Sequence, residues 1–222
     1  MTRLFSFLFI SVLSFISFSQ DLSVLFIGNS LTYSNDLPGI IRDIGRAHDL
    51  KVKTKCICLP NYALEDHWAD GEIQKEISSN SFDYVVFQQG PSSQEYGRTS
   101  LVEYGGKISS LAKKHDAVPI YFMVWPSMRY YQTMKDVQLN HSEAAKQNGA
   151  EIAQVGVIWH ELLSQNLNIP LYGPDKFHPS VKGSRLAAAI IFQTMVSEAP
   201  GQLRSYLAEY FKPAELNTIL SD

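Results

Sequence analysis

The stretch Val24-Leu25-Phe26-Ile27-Gly28-Asn29-Ser30-Leu31-Thr32 joins a short apolar run to a turn and then to helix-start signals. An apolar run of this length predicts a strand buried on both faces, as in a parallel sheet. Glycine lets the chain turn sharply after the strand, so Ser30 would stand at the carboxyl edge of the sheet, where ligands bind. Ser30 is therefore a candidate nucleophile and Asn29 a candidate substrate contact. The alternative is an ordinary strand-to-helix turn.

A second motif, Asp175-Lys176-Phe177-His178-Pro179-Ser180, lies near the other end of the chain. A serine hydroxyl is a weak nucleophile and needs a base, and the base needs a partner that fixes its tautomer. An aspartate three residues before a histidine supplies both groups on one loop. Alone, the pair would be read as a turn cap and a surface histidine. Together with Ser30, it predicts a Ser30-His178-Asp175 triad.

These two motifs resemble the first and last conserved blocks of the SGNH (GDSL-type) hydrolases. The first block of that family usually reads Gly-Asp-Ser-Leu, and Gly28-Asn29-Ser30-Leu31 is similar to it. The last block is an aspartate, two residues, a histidine and often a proline, as in Asp175 to Pro179. The resemblance covers about 22–198, is strong at its two ends and is weaker between them. It implies ester hydrolysis through an acyl-enzyme.

The rest of the chain alternates strand and helix patterns. Apolar runs at 51–59, 83–87, 118–124 and 151–157 predict four more strands, and helical spacing of apolar residues separates them. Such alternation predicts a three-layer α/β/α sandwich around a central, mostly parallel five-stranded sheet. The resemblance implies the flavodoxin-like version of this fold. No repeat or linker interrupts 21–222, which we interpret as one domain.

The second family block normally supplies a glycine N–H to the oxyanion hole, beside the N–H of the nucleophile. In this chain the matching loop follows the second strand, and Asn61, Tyr62 or Ala63 takes the place of the glycine. The resemblance therefore implies a backbone donor at one of these three positions, in addition to the Ser30 N–H.

The third family block normally supplies an asparagine side chain as a further donor. Here the third strand ends in Gln88-Gln89-Gly90-Pro91, without an asparagine. A glutamine amide donates the same hydrogen bond with a longer reach, so Gln88 or Gln89 is the predicted substitute. Some relatives that act on acetylated sugars carry Gln-Gly at this block, which favours Gln89. The alternative is a polar turn fixed by Gly90 and Pro91.

Two more residues are candidates for substrate binding. Ser92 lies in the loop after the third strand, and Trp125 lies at the carboxyl end of the fourth. Both positions fall on the ligand-binding edge of the predicted sheet. A tryptophan buried in the core is the alternative for Trp125.

Residues 1–20 combine Arg3 with an apolar segment and a Ser/Phe-rich end. This pattern is typical of a signal peptide and is too short for a stable membrane span. It predicts export to the periplasm or the extracellular space. The remaining chain is about 200 residues long, enough for one domain with a substantial core.

Charge and cysteine content narrow the function classes. The chain has 19 basic and 22 acidic residues, a formal charge of −3 without strong clusters, which disfavours nucleic acid or a membrane surface as partner. Cys56 and Cys58 are the two cysteines, and no zinc-ligand spacing occurs. On a strand their Cα atoms would lie about 6.6 Å apart with parallel side chains, so the sequence predicts reduced thiols.

Together, these features predict an exported serine esterase that needs no metal or organic cofactor. Its expected partner is a small-molecule or glycan ester, with acetyl esters of carbohydrates favoured by the resemblance. Two alternatives stay open at this point. One is a catalytically weak carbohydrate-binding protein on the same scaffold, and the other is a thioesterase or acyltransferase with the same triad.

Overall fold

The structure, a computed structural model, describes residues 21–165, 168–196 and 200–220. The predicted signal peptide, 1–20, lies outside these residues, so its cleavage and the export of the protein stay predictions. Within the described ranges, no helix has both the length and the apolar composition that crossing a membrane requires.

Five strands alternate with helices along the described chain. The strands are β1 (Asp21–Gly28), β2 (Lys51–Cys58), β3 (Tyr84–Phe87), β4 (Val118–Phe122) and β5 (Glu151–Ala153). The helices are α1 (Ser30–Tyr33), α2 (Leu37–Ala47), α3 (Leu64–Asp70), α4 (Glu72–Ser79), α5 (Glu95–Lys114), α6 (Met134–Asn148), α7 (Val155–Ser164), α8 (Val181–Met195), α9 (Pro200–Leu207) and α10 (Pro213–Ile219). Short 3₁₀ turns span Ser34–Asp36 and Met128–Thr133.

The strands form one parallel sheet in the order β2-β1-β3-β4-β5. From β1 the chain moves outward to β2 and then crosses back to β3 on the other side of β1. The carboxyl ends of β1 and β3 therefore adjoin at the point where the strand order reverses, where open α/β sheets bind their ligands. The predicted α/β fold and five-stranded sheet are confirmed.

Both faces of the sheet are buried. On β1, Val24 and Phe26 belong to the core beneath α2, α7 and α8, whereas Leu25 and Ile27 belong to the core beneath α3 to α6. Alternate residues of a strand point to opposite faces, so a continuous apolar run supplies both cores at once. This double burial produces the three-layer sandwich.

The fifth strand is shorter than predicted. It was expected over 151–157, but it ends at Ala153 because α7 begins at Val155. Val155, Trp159 and Leu162 then share a buried helical face. Gly156 allows the close approach, since a Cβ there would lie 2.5 Å from the Val124 carbonyl oxygen. Tertiary packing thus decides a boundary that an apolar run leaves open.

The cysteine prediction is wrong. Cys56 and Cys58 form a disulfide, and their Cα atoms lie 5.4 Å apart. That separation is within the range of disulfides and shorter than the spacing assumed for a regular strand. Strand β2 is at the edge of the sheet and pairs only with β1, so its backbone can contract locally. Because residues two apart point to the same side, the contraction brings the two sulfurs into bonding distance.

The disulfide makes a direct prediction about thiol content. Protein purified without reductant and then denatured should show no thiol that reacts with Ellman's reagent, because both cysteines are bonded to each other. Reduction should expose both. As a control, Cys58→Ser should show one thiol without reduction. Two reactive thiols in unreduced parent protein would contradict the disulfide.

Candidate active site

The nucleophile turn comprises Gly28, Asn29 and the first residues of α1. Asn29 caps α1, since its Oδ1 accepts a hydrogen bond from the Leu31 N–H at 3.1 Å. The Ser30 side chain is only partly buried, and the Ser30 N–H has no acceptor among the described residues. An N–H without a protein acceptor, next to a partly exposed hydroxyl, is what a nucleophile with an oxyanion donor requires.

The structure brings the Ser30 hydroxyl to the loop that carries the Asp-x-x-His motif. His178 Nε2 lies 2.8 Å from Ser30 Oγ, and His178 Nδ1 contacts Asp175 Oδ2. Asp175 Oδ1 accepts the backbone N–H groups of Phe177 and His178 at 3.0 and 2.9 Å. The contact with His178, followed by these backbone bonds, lowers the pKa of Asp175 to about 2. The carboxylate therefore stays charged beside the imidazole at neutral pH.

The catalytic loop, 171–180, is held at both ends and in the middle. Gly173 N–H donates to the His178 carbonyl at 2.7 Å, and Ser180 N–H donates to the Leu171 carbonyl at 2.8 Å. Trp125 Nε1–H donates to the Phe177 carbonyl at 3.0 Å, next to the histidine. These bonds leave the backbone around His178 little freedom, which favours a fixed imidazole position.

Trp125 does not line a substrate pocket, so that prediction is wrong. The side chain is fully buried and stacks on Trp159 with ring centroids 3.6 Å apart. It acts instead as a positioning residue, because it connects the core to the backbone that carries His178. Sequence position alone could not separate the two roles, since the carboxyl end of a strand borders both the core and the cleft.

Asn29 is likewise a positioning residue and not a substrate contact. It is buried, and its Nδ2 donates to the Tyr62 carbonyl at 2.9 Å while its Oδ1 also accepts from Gln88 Nε2 at 2.9 Å. The side chain therefore ties the nucleophile turn to the loops after β2 and β3.

Gln88 forms the centre of this arrangement. Its Oε1 accepts the Asn29 N–H at 3.0 Å and the Thr32 hydroxyl at 2.8 Å. Residue 28 must be a glycine for this contact to form, because a Cβ at that position would lie 2.2 Å from Gln88 Oε1. The predicted oxyanion role of Gln88 does not fit these contacts, since the amide is buried and holds the turn instead.

Gln89, the preferred donor in the sequence prediction, points into a different network. Its Nε2 donates to Ser92 Oγ at 2.9 Å and to the Gly97 carbonyl at 3.1 Å, which uses both amide hydrogens. Its Oε1 accepts the Leu64 N–H and the Ser100 hydroxyl. The structure therefore contradicts an oxyanion role for Gln89. The residue instead fixes the loop after β3 against α3 and α5.

The loop after β2 retains one free backbone donor. Tyr62 N–H donates to the Leu59 carbonyl, and Ala63 N–H donates to Asp66 Oδ2, so both predicted donors are occupied. Asn61, at the third position of the turn, has φ 63° and no acceptor for its N–H among the described residues. Positive φ after a proline is typical of a type II turn, in which glycine or asparagine fits. Asn61 thus has the backbone conformation that a glycine would adopt there.

His67 is a supporting residue that the sequence did not reveal. Its ring is buried, and Nε2 lies 2.8 Å from the Gly28 carbonyl oxygen. Burial lowers the pKa of this imidazole, which keeps it neutral and able to donate to that carbonyl. That carbonyl belongs to the first residue of the nucleophile turn, so His67 restrains the turn.

A cavity of about 710 Å³ adjoins the catalytic loop. Ser92, predicted to bind substrate, lies in its wall. Ser92 Oγ donates to the Gly90 carbonyl at 2.8 Å, and Asn140 Nδ2 donates to the Ser92 carbonyl at 2.8 Å. The other lining residues come from three segments: Pro91, Ser93, Gln94 and Gly97; Pro126, Ser127, Arg129, Tyr130 and Thr133; and Asp175, Lys176 and Phe177. After β4 the sequence indicated Trp125 alone, whereas the cavity is lined by residues between Pro126 and Thr133, which lie at the same sheet edge.

Neither family models nor curated proteins match this sequence. Solved structures do. A protein from Slackia heliotrinireducens, provisionally assigned as an SGNH hydrolase, is 25% identical with a TM-score of 0.66 over 80% of this chain and 100% of its own. A DUF4886 family protein from Bacteroides uniformis is 16% identical, with a TM-score of 0.72 over 90% and 92% of the two chains. An acetyl xylan esterase from Geobacillus stearothermophilus is 13% identical, with a TM-score of 0.63 over 80% and 96%. The predicted resemblance to the SGNH hydrolases is confirmed.

The contacts of Gln88 predict that its removal affects stability as well as activity. Gln88→Ala leaves the buried Asn29 N–H and Thr32 hydroxyl without an acceptor, which should lower the free energy of unfolding by about 1–3 kcal/mol. The released turn should also lower kcat. Urea unfolding and ester turnover measure the two effects, with exposed Gln138→Ala on α6 as the matched control. A large fall in kcat with unchanged stability would instead support a direct oxyanion donor.

Proposed function

We propose that this SGNH-type hydrolase is an exported serine esterase that removes short acyl groups, acetyl above all, from carbohydrates. The observation that carries the proposal is the continuous hydrogen-bonded series from Ser30 Oγ through His178 to Asp175. A hydroxyl, an imidazole and a carboxylate in this order are the parts of a nucleophilic triad.

In the proposed mechanism, Ser30 Oγ attacks the ester carbonyl carbon while His178 Nε2 takes the hydroxyl proton. Asp175 stabilises the imidazolium that forms, and its low pKa keeps it charged for this task. The tetrahedral intermediate then expels the alcohol, which receives the proton from His178, and leaves an acyl-serine. A water molecule, deprotonated by His178, then attacks the acyl-serine to form a second tetrahedral intermediate. This intermediate releases the acid and expels Ser30 Oγ, which takes the proton back from His178.

The developing oxyanion needs donors that no protein acceptor occupies. The Ser30 N–H meets this condition, and the Asn61 N–H is the second candidate because its neighbours Tyr62 and Ala63 are already bonded. Backbone donors fixed before the reaction need no reorganisation in the transition state, which is why they are effective.

Fold neighbours support ester chemistry on carbohydrate. The Geobacillus acetyl xylan esterase has been solved as catalytic mutants in which a serine, an aspartate or a histidine is replaced by alanine. In that enzyme the aspartate precedes the histidine by three positions, which is the spacing of Asp175 and His178. The cavity is lined by Asp175 and not by Ser30 or His178, and its volume is sufficient for a sugar residue of the leaving alcohol next to the triad.

Export is supported by two independent features. Residues 1–20 have a signal-peptide pattern. The Cys56–Cys58 disulfide is a kind of bond that persists in oxidising compartments outside the cytosol.

One observation favours a second candidate, a carbohydrate-binding protein with little catalysis. Gln89 uses both amide hydrogens in structural bonds, and Gln88 is buried and donates to Asn29, so neither is an exposed counterpart of the asparagine of the family. Assays of the purified protein on 4-nitrophenyl acetate and on acetylated xylo-oligosaccharides separate the candidates. Hydrolysis that depends on Ser30 supports the esterase, whereas binding without hydrolysis supports the alternative.

The nucleophile assignment predicts the behaviour of Ser30→Ala. This variant should lose ester hydrolysis and keep a parental unfolding midpoint, because a partly exposed serine to alanine change away from the core costs little stability. Ser110→Ala, on the exposed surface of α5, is the matched control and should retain activity. Turnover near the parental rate in folded Ser30→Ala would remove the assignment.

The base assignment predicts non-additive losses. His178→Ala should reduce kcat about as far as Ser30→Ala, and the double variant should be hardly slower, since members of a triad act as a unit. His115→Ala, at the end of α5, should cost far less. Losses that multiply in the double variant would show that Ser30 and His178 act in separate steps.

A further inference from the structure

The cavity beside the catalytic loop has apolar walls and a cationic rim. Pro91, Pro126, Tyr130 and Phe177 supply apolar surface, and Arg129 and Lys176 supply two positive charges. Neither cation forms an ion pair within the part of the chain that the structure describes. No protein carboxylate in the described ranges neutralises either side chain, so both charges remain available to a ligand.

The two cations belong to segments that are fixed to each other. Met128 N–H donates to the Lys176 carbonyl at 2.9 Å, which joins the turn after β4 to the catalytic loop. The Arg129 guanidinium lies 5.4 Å from the centre of the Tyr130 ring, within the range of a cation–π contact. The rim is therefore built from restrained backbone and is not a chance meeting of two surface side chains.

The one carboxylate in the cavity lining does not neutralise this rim. Asp175 contacts His178 and accepts two backbone N–H groups, so both its oxygens are engaged within its own loop and neither pairs with Arg129 or Lys176. The chain as a whole has a formal charge of −3, which makes a pair of free cations at the candidate site a local feature.

We infer that the substrate is an ester of an anionic sugar, in which a carboxylate on the carbohydrate binds Arg129 and Lys176. This inference rests on the proposed esterase function and narrows its substrate class. The guanidinium matches a carboxylate with two parallel hydrogen bonds, and the ammonium adds a point charge. Tyr130 and Phe177 offer aromatic faces to the apolar side of a pyranose ring. Acetylated uronic-acid oligosaccharides have this combination of charge, ring and ester.

The test compares kcat/KM on acetylated oligogalacturonides with kcat/KM on neutral acetylated xylo-oligosaccharides. The ratio should exceed one at low ionic strength and fall toward one in roughly 1 M salt, where the Debye length is about 3 Å. Arg129→Gln and Lys176→Gln should each lower the ratio by about two- to fivefold, the range of exposed charge pairs. Arg129→Glu should lower it further. Lys75→Gln, an exposed change on α4 with the same loss of charge, should leave the ratio unaltered.

Three results would overturn the inference. The first is a kcat/KM ratio at or below one in the parent protein. The second is an equal loss of kcat/KM on the anionic and the neutral substrate in the Arg129 and Lys176 variants. The third is a fall of the ratio in Lys75→Gln as large as in those variants. A separate comparison measures kcat/KM on 4-nitrophenyl hemisuccinate and on 4-nitrophenyl acetate. If Arg129 and Lys176 govern that preference instead, the anion belongs on the acyl group and not on the sugar.

Calorimetric binding of unacetylated trigalacturonate separates this inference from the proposed function. The parent protein should bind it more tightly than neutral xylotriose, and Arg129→Gln should remove the difference, whether or not any ester is hydrolysed. Binding without hydrolysis would remove the esterase proposal alone. Hydrolysis without a charge preference in either measurement would remove the anionic substrate alone.

Discussion

The structure around the nucleophile depends on the buried Gln88 amide. Its oxygen accepts two hydrogen bonds from the nucleophile turn, and its nitrogen donates to the Asn29 side chain. An unpaired amide in this place would carry a large desolvation cost, so the three bonds must form together. Gly28 permits them because no side chain occupies the space beneath Gln88. The position of Ser30 is thus fixed by the strand beside it as well as by its own helix.

His178, the proposed base, is likewise positioned by buried groups that pack against its loop. His178 lies on an irregular loop, and loops alone position side chains less well than helices or strands. Here the Trp125–Trp159 stack brings a rigid core element against that loop, and Trp125 holds the Phe177 carbonyl. The Ser30 turn and the His178 loop are therefore each held by a buried polar side chain, the Gln88 amide and the Trp125 indole.

The two glutamines after β3 show how one polar dipeptide serves two parts of the site. Adjacent residues on an extended segment point to opposite sides. Gln88 turns toward the nucleophile, and Gln89 turns toward Ser92, Gly97 and Ser100, where it shapes the cavity wall. Gln89 uses both of its amide hydrogens in this network, whereas the Ser30 and Asn61 N–H groups have no acceptor among the described residues. Arg129 and Lys176 line the same cavity, and Lys176 is the residue that follows Asp175 on the catalytic loop.

The sequence by itself determined the layered fold and the grouping of Ser30, Asp175 and His178, because apolar runs and motif order depend on local chemistry and chain direction. Only the tertiary structure decided the roles of Asn29, Trp125, Gln88 and Gln89, since each has enough reach to serve either core or cleft and has at least one partner more than twenty residues away. The disulfide could not be predicted from the sequence either, because edge strand β2 is locally shorter than a regular strand. The cavity was beyond sequence reasoning for the same reason: its walls come from three loops that meet only when the sheet is formed.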